Sequence, residues 1–476
     1  ANEKEDPPQS LHIPNRIKQT LIFATRDLKA KISNRQYLLI NLLEAPFLAL
    51  ILSFIIKYKS APGGEDYMFR FNENLPAYLL MSIIVALFMG LTVSAEEIIR
   101  DRKILKRESF LNLSWNSYLV SKLGILFLLS AIQTLMFVLV GNLVLEIQGM
   151  TLAFWFILFS TSCLANVLGL NISSAFNSAV TVYVLIPLLL IPQMILSGVL
   201  FSFDKLHTVI SNKENVPFVA DLMASRWAYE ALAVYQFVNN DYEEPFYAYE
   251  KEASIADFKS AYLADEMIKR NQFALDHYQN DNDSIKNEVR IALNILRNCL
   301  LHESYTEGLE EQNLNTYLAP NGYSKEFGNL LDTYIINFRK HYQNVYNEQV
   351  KTADLKRAFY EKEGFDLNEE KNNYYNESLA DLVKNVNTKE RLVIENNRPV
   401  QLIDPIYQTP SPNHPLDYRT GFFFPKKSFL GIEYSTYTFN SVAIWLMTIA
   451  LYVMLYFELL RKLLDSSGKV TFVNRK

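Results

Sequence analysis

The densest chemistry in the sequence is a run of charge, SAEEIIRDRKILKRESFLNLSWNSYLVSK, from Ser94 to Lys122. Glu96, Asp101, Arg102, Arg107 and Glu108 carry both signs within it, which suits docking onto another protein through ion pairs and hydrogen bonds rather than bond making. The alternative is that these charges only anchor a helix end in water and lipid headgroups. Glu44 stands apart as an ionisable group inside an apolar run, where it costs about 3 kcal/mol on insertion scales. It faces a polar cavity, pairs with a base such as Lys122, or sits at headgroup level. No catalytic residue, metal site or bound cofactor is expected in this chain. The only Gly-Lys pair, Gly468-Lys469, is followed by Val470 and has no glycine five residues earlier, so no Walker loop forms. The six histidines show no HExxH spacing, and GxSxG does not occur. Cys163 and Cys299 are too few for a disulfide framework or a cysteine zinc site.

The elements that must position these residues are apolar. Half of the 476 residues are hydrophobic, yet the mean hydropathy is only +0.01 because the apolar residues are segregated. Runs from Tyr37 to Ile56, Leu75 to Ser94, Tyr118 to Leu145, Thr151 to Leu170, Ala179 to Leu200 and Thr438 to Leu460 reach or approach the roughly 20 residues a helix needs to cross a bilayer. They are continuous, which excludes a transmembrane β-barrel of alternating strands. Lys and Arg crowd before the first span, between the second and third, and after the last, which predicts six crossings with both termini in the cytoplasm. The fold class expected is an all-α membrane protein in a plasma or bacterial inner membrane.

That orientation places residues 239–437 outside, or in a periplasm. Asn239 to Arg398 holds 29 acids and 19 bases, a balance of −10, against +5 for the rest of the chain. Ile285, Val289, Ala292, Leu293, Leu296 and Leu300 form one apolar helical face, and Leu331, Tyr334, Ile335, Phe338 and Tyr342 another. Shorter helices are expected at Ala256 to His277, Thr352 to Glu363 and Glu377 to Val386. Six prolines between Arg398 and Pro425 predict an extended return to the membrane. The exterior part therefore reads as a mainly α-helical, disulfide-free domain. It is entered through a membrane-proximal element at 203–238 and left through a sixth span at 438–461, with a cytoplasmic tail at 462–476.

Residues 1–13 read as a polar linker without a signal peptide. Over 14–34, Ile17, Leu21, Ala24, Leu28 and Ile32 recur at helical spacing, with Lys18, Arg26, Lys29 and Lys31 mostly on other faces. This predicts an amphipathic helix lying on the inner membrane surface, its bases among headgroups; a helix packed on a soluble domain is the alternative.

The charged run, with its pairs Asp101-Arg102 and Arg107-Glu108 followed by Tyr118 and Lys122, resembles the first cytoplasmic loop of ABC exporters of the ABCG, or White-type, branch. GLNISSAFNSAV (Gly169 to Val180) is similar to that family's short loop between spans four and five. PQMILSGVLFSFDKL (Pro192 to Leu206) is similar to its fifth span, and SRWAYEAL (Ser225 to Leu232) to the element that follows. The resemblance covers Pro14 to about Phe237 plus the last span, and not the insert. It implies a coupling loop at 95–117, a substrate pathway at Ala86, Met89, Ile191 and Met194, and a gate at Val199 and Leu200. It also implies ABC nucleotide-binding domains, upstream or on another chain, that hold ATP and Mg, and a second membrane half, identical or not. Membrane lipid is a further expected partner, as is an envelope partner at the exterior domain; nucleic acid is not. Three functions follow: export of a lipid, lipid-linked or amphipathic substrate; ABC-driven mechanotransmission through the exterior domain; or a non-transporting scaffold or receptor.

Overall fold

A computed structural model describes residues 15–58, 67–108, 114–207, 209–210, 215–301, 303, 311–319, 322–412 and 414–464. The linker at 1–13 and most of the tail, 465–476, lie outside the described residues. α1 (Arg16–Ser33) is capped by the Asn15 side chain, and α2 (Arg35–Ile56) by Asn34. α3 (Leu75–Ser94) passes through a turn into α4 (Glu97–Glu108), followed by α5 (Trp115–Leu145), α6 (Thr151–Ala175) and α7 (Ala179–Ile195). The chain returns as α17 (Thr436–Tyr456). Among the described residues, α2, α3 with α4, α5, α6 and α17 are long and apolar enough to cross a membrane, and α7 is a shorter apolar helix.

Small and polar residues bring the spans together where apolar attraction between helices is lost to lipid. A Cβ on Gly90 of α3 would fall 2.6 Å from the Ser162 carbonyl oxygen of α6, so only glycine permits that approach. Ser130 of α5 accepts from Ser162 at 2.9 Å and from Asn166 at 2.7 Å. Asn171 donates to the Val167 and Leu451 carbonyls, tying α6 to α17. This corrects the expected loop at Gly169 to Val180. Asn171 and Ser174 satisfy helical carbonyls instead of breaking the helix, which runs to Ala175. The fifth span also ends earlier than the apolar run, at Ile195, because Gly198 adopts φ +84°.

α8 (Phe218–Asp221) and α9 (Ala224–Val238) turn back into the core, where Ser225 bonds the Gln193 backbone and side chain of α7. Beyond them, α10 (Glu244–Phe258) continues through a π-helical stretch, Lys259–Leu263, into α11 (Ala264–His277). α12 (Asp283–Leu300), α13 (Glu311–Tyr317) and α14 (Lys325–Lys362) complete the helical bundle of the insert. Its core contains Val289, Leu293, Leu296, Leu300 and Leu331, Tyr334, Ile335, Phe338, Tyr342, the two faces read from the sequence. The helix expected separately at Thr352 to Glu363 is the end of the 38-residue α14. α15 (Leu367–Tyr374) and α16 (Glu377–Val383) then descend to the spans.

The return is not simply extended. β1 (Leu392–Glu395) pairs with β2 (Arg398–Gln401) through Asn396 and Asn397, both at positive φ as a tight two-residue hairpin requires. β3 (Lys426–Phe429) pairs with β4 (Ile432–Ser435) directly before α17. The insert also grips the loop before α3. Asn376 donates to the Phe69 and Asn72 carbonyls, Arg70 pairs with Glu377 at 2.6 Å, and Leu379, Ala380 and Val383 join the membrane core.

Candidate functional site

Three pairs of residues four apart in sequence, Asp27/Lys31, Glu97/Asp101 and Tyr118/Lys122, each occupy one helical face, and the faces of α1, α4 and α5 meet. Lys122 Nζ lies 2.6 Å from Asp27, 2.7 Å from Glu97 and 2.8 Å from Asp101. Lys31 reaches Glu97 at 2.6 Å and Asp27 at 3.4 Å, and Arg100 adds a third cation, 2.8 Å from Glu97. Tyr118 donates to Asp101 at 3.0 Å. Three carboxylates thus face three cations, with Glu97 and Lys122 almost fully buried. Buried charges persist only when paired and hydrogen-bonded in this way, and removing one partner is costly. Asp27, Glu97 and Arg100 were not read as site residues in the sequence, and Lys31 was read only as a headgroup contact, although the repeated four-residue spacing marks Asp27, Lys31 and Glu97. Lys31 is buried in this network rather than among headgroups. On the other part of α1, Ile17, Leu21, Leu28 and Ile32 are exposed.

α4 is fixed to α6 as well. Ser173 accepts from the backbone amides of Ile98 and Ile99, acting as an N-cap supplied by another helix. Arg102 donates to the Ser173, Ser174 and Phe176 carbonyls and to Asn177, placing a cation at the negative end of α6. Glu96 meets Tyr183 at the start of α7. Arg107 is exposed, and the Glu108 side chain lies outside the described residues. The charged loop therefore has an inner side that binds α1, α5, α6 and α7, and an outer side left open.

Residues 18–237 match the ABC-2 type transporter family. Residues 18–237 thus read as an ABC-2 membrane domain, the permease component of an ABC transporter, for which ATPase subunits and a second membrane subunit are the implied associates. No curated relative matches the chain.

Within the ABC-2 domain, Glu44 is half-buried on α2 and does not meet Lys122, whose ammonium is already held by Asp27, Glu97 and Asp101. Ala86 and Met89 are packed inside the protomer, whereas Phe88 on the neighbouring face of α3 is exposed. Ile191 lies on an uncovered stripe of α7 with Val180, Val184, Leu188 and Ile195. Met194 is half-buried. Beyond the helix end, Val199 is half-buried and Leu200 exposed. The structure does not bring the pathway residues into one cavity within the protomer.

At its outer end the ABC-2 domain holds a second buried node. Glu230 of α9 pairs with Lys427 of β3 at 3.0 Å and with Arg226 at 3.4 Å, and accepts from Asn440 of α17 at 2.8 Å. Asp221 lies 3.7 Å from Arg226 and accepts from Tyr418. Burial alone would raise the Glu230 carboxyl, but Arg226 and Lys427 outweigh it and hold it below the usual range. Burial draws Lys427 down to about 8 against the pull of Glu230. At the root of the exterior domain, burial and then the neighbouring Glu250 charge push Glu243 up to about 8. Tyr407 donates to Glu250 at 2.9 Å, and Arg357 pairs with Glu250 at 2.7 Å.

Proposed function

We propose that this chain is the permease of an ATP-driven exporter that moves a lipid, lipid-linked or amphipathic substrate outward, working as a dimer of membrane halves. The observation that carries the reading is the buried ion network at α4. A nucleotide-binding domain pressing on the open side of α4, at Arg107, would act on a helix already locked to α1, α5 and α6, so these would move together as rigid levers. ATP and Mg would be held by that partner domain, and the coupling role would fall to Glu96, Asp101, Arg102, Arg107 and Glu108. The uncovered stripe of α7 supports a pathway shared with the second half, with Ile191 on it and Val199 and Leu200 at its outer end. The positive residues flanking the spans support cytoplasmic termini and an outside or periplasmic exterior domain.

A second reading, mechanotransmission to an envelope partner, is favoured by the node of Glu230, Lys427 and Asn440, which links α17 and α9 to the return strand of the exterior domain. The test is reversal of Arg107 and Glu108 in proteoliposomes containing the ATPase subunits. ATP hydrolysis that continues while transport is lost supports the coupling role; unchanged transport defeats it. ATPase stimulation by added amphipathic lipid favours export over mechanotransmission.

A further inference from the structure

We propose that a cavity between the exterior domain and the outer end of α7 binds an uncharged, hydroxyl-rich group about the size of one sugar ring. The cavity has a volume of about 250 Å³ and is bounded by the α7 exit on one side and by α16, β2 and the return segment on the other. That is below the roughly 300–1,000 Å³ typical of drug-sized ligands, so it suits a headgroup rather than a whole lipid.

The wall is rich in acceptors. The Asn385 amide nitrogen donates to the Leu402 carbonyl at 2.8 Å, and that of Gln401 to the Ile403 carbonyl at 2.9 Å. The Gln408 nitrogen donates to the Gln401 and Ile403 carbonyls. Because each partner is a carbonyl, the nitrogen must be the donor, which leaves each side-chain oxygen as an acceptor for a ligand, beside a second N–H on Asn385 and on Gln401. Asp204 and Asp417 add carboxylates, and Arg419 is the base in the lining. Such a wall disfavours phosphate or carboxylate, which bring further acceptors. An ammonium would draw on Asp204 and Asp417 but is opposed by Arg419 and gains little from the neutral amides, whereas hydroxyl groups donate to amide and carboxylate oxygens alike. Phe203 and Phe422, packed edge to face at 5.0 Å, supply apolar area for the C–H face of a ring.

The hydroxyl-rich group has two sources, a free saccharide or the headgroup of a lipid-linked one; only the second rests on the export reading. Binding is measured by saturation-transfer NMR on the full chain in phosphatidylcholine nanodiscs, with every probe below its micellar concentration. The probes are methyl β-glucoside, octyl β-glucoside, octylphosphocholine and octylammonium. Preferential binding of a glucoside is expected, weakened roughly three- to tenfold by Gln401→Met, the loss of about one hydrogen bond. Asp204→Ala, at an exposed position, gives the same weakening without risk to the fold. Equal binding of both glucosides identifies a free saccharide, and binding of octyl glucoside alone a lipid-linked one. Failure of both glucosides to bind, equal binding of octylphosphocholine or octylammonium, or indifference to both variants overturns the site. Because the readout is binding, a failure of transport leaves this result standing, and the converse also holds.

Discussion

The two buried polar nodes draw on different elements, α1, α4 and α5 in the inner one and α8, α9, β3 and α17 in the outer, and are built differently. In the inner node every carboxylate has an ammonium within 2.8 Å, and its residues come from three helical faces. The outer node joins Glu230 to Lys427 across nearly 200 residues of chain, its Arg226 pairs are longer, and Arg226 Nε and Nη1, Asp221 Oδ1 and Asn440 Oδ1 lack hydrogen-bond partners among the described residues, against Asp27 Oδ2 in the inner node. A buried polar atom without a partner costs about 1–3 kcal/mol. Re-pairing is therefore cheaper at the outer node, whereas the inner node, with Asp27 Oδ2 as its one such atom, has less to gain by moving apart. The contrast suits a rigid input at α4 and an adjustable junction beneath the exterior domain.

Breaking the inner node should have the largest effect. Lys122→Met leaves Asp27, Glu97 and Asp101 facing Lys31 and Arg100, and should cost about 3–5 kcal/mol in denaturant unfolding of the full chain in nanodiscs. Adding Glu97→Gln should recover part of it; a loss under about 1 kcal/mol would contradict a tightly paired inner node.

Glu243 tests the junction by pH. Its carboxyl is raised in the folded state, so its stabilisation is full below about 4.5 and lost as pH rises through about 8. Discounted for sharing its proton with Glu250, the change should be on the order of 3 kcal/mol. Hydrogen exchange around α10 should speed up across that window, and Glu243→Gln should flatten the dependence.

Lys427→Met should cost less than Lys122→Met, about 1–3 kcal/mol, because Arg226 still faces Glu230. A cost equal to that of Lys122→Met would erase the contrast between the nodes. Gly198→Ala should cost about 1–3 kcal/mol, since the residue sits at φ +84° and a Cβ would lie 2.6 Å from Phe203 and 2.8 Å from Phe422. Arg107→Glu, on the exposed side of α4, should change stability by less than about 0.5 kcal/mol, so its effect belongs to coupling and is read in the ratio of ATP hydrolysis to transport.

The spans, the two apolar faces of α12 and α14 and the charged loop were all legible in the sequence, because periodicity and hydropathy act along a single element. The break at Gly169 to Val180 was misread because asparagine and serine signal loops in water but satisfy helix carbonyls when buried, as Asn171 and Ser174 do. Ala86 and Met89 sit inside the protomer because their face of α3 is turned onto α6 by the close approach at Gly90, a rotation no single helix encodes.

By itself, then, the sequence determined which segments are apolar enough to enter the membrane, how charge divides along the chain, and that α4 must carry a mixed-charge surface. Which charges would be buried together was decided only by tertiary structure. An ion pair depends on the distance between elements, and Lys31 with Glu97, or Glu230 with Lys427, meet only after α1, α4 and α9 are docked. The same holds for the cavity above α7, whose walls come from the segment after α7 and from the return chain of the insert and exist only once that return chain is laid across the end of the spans.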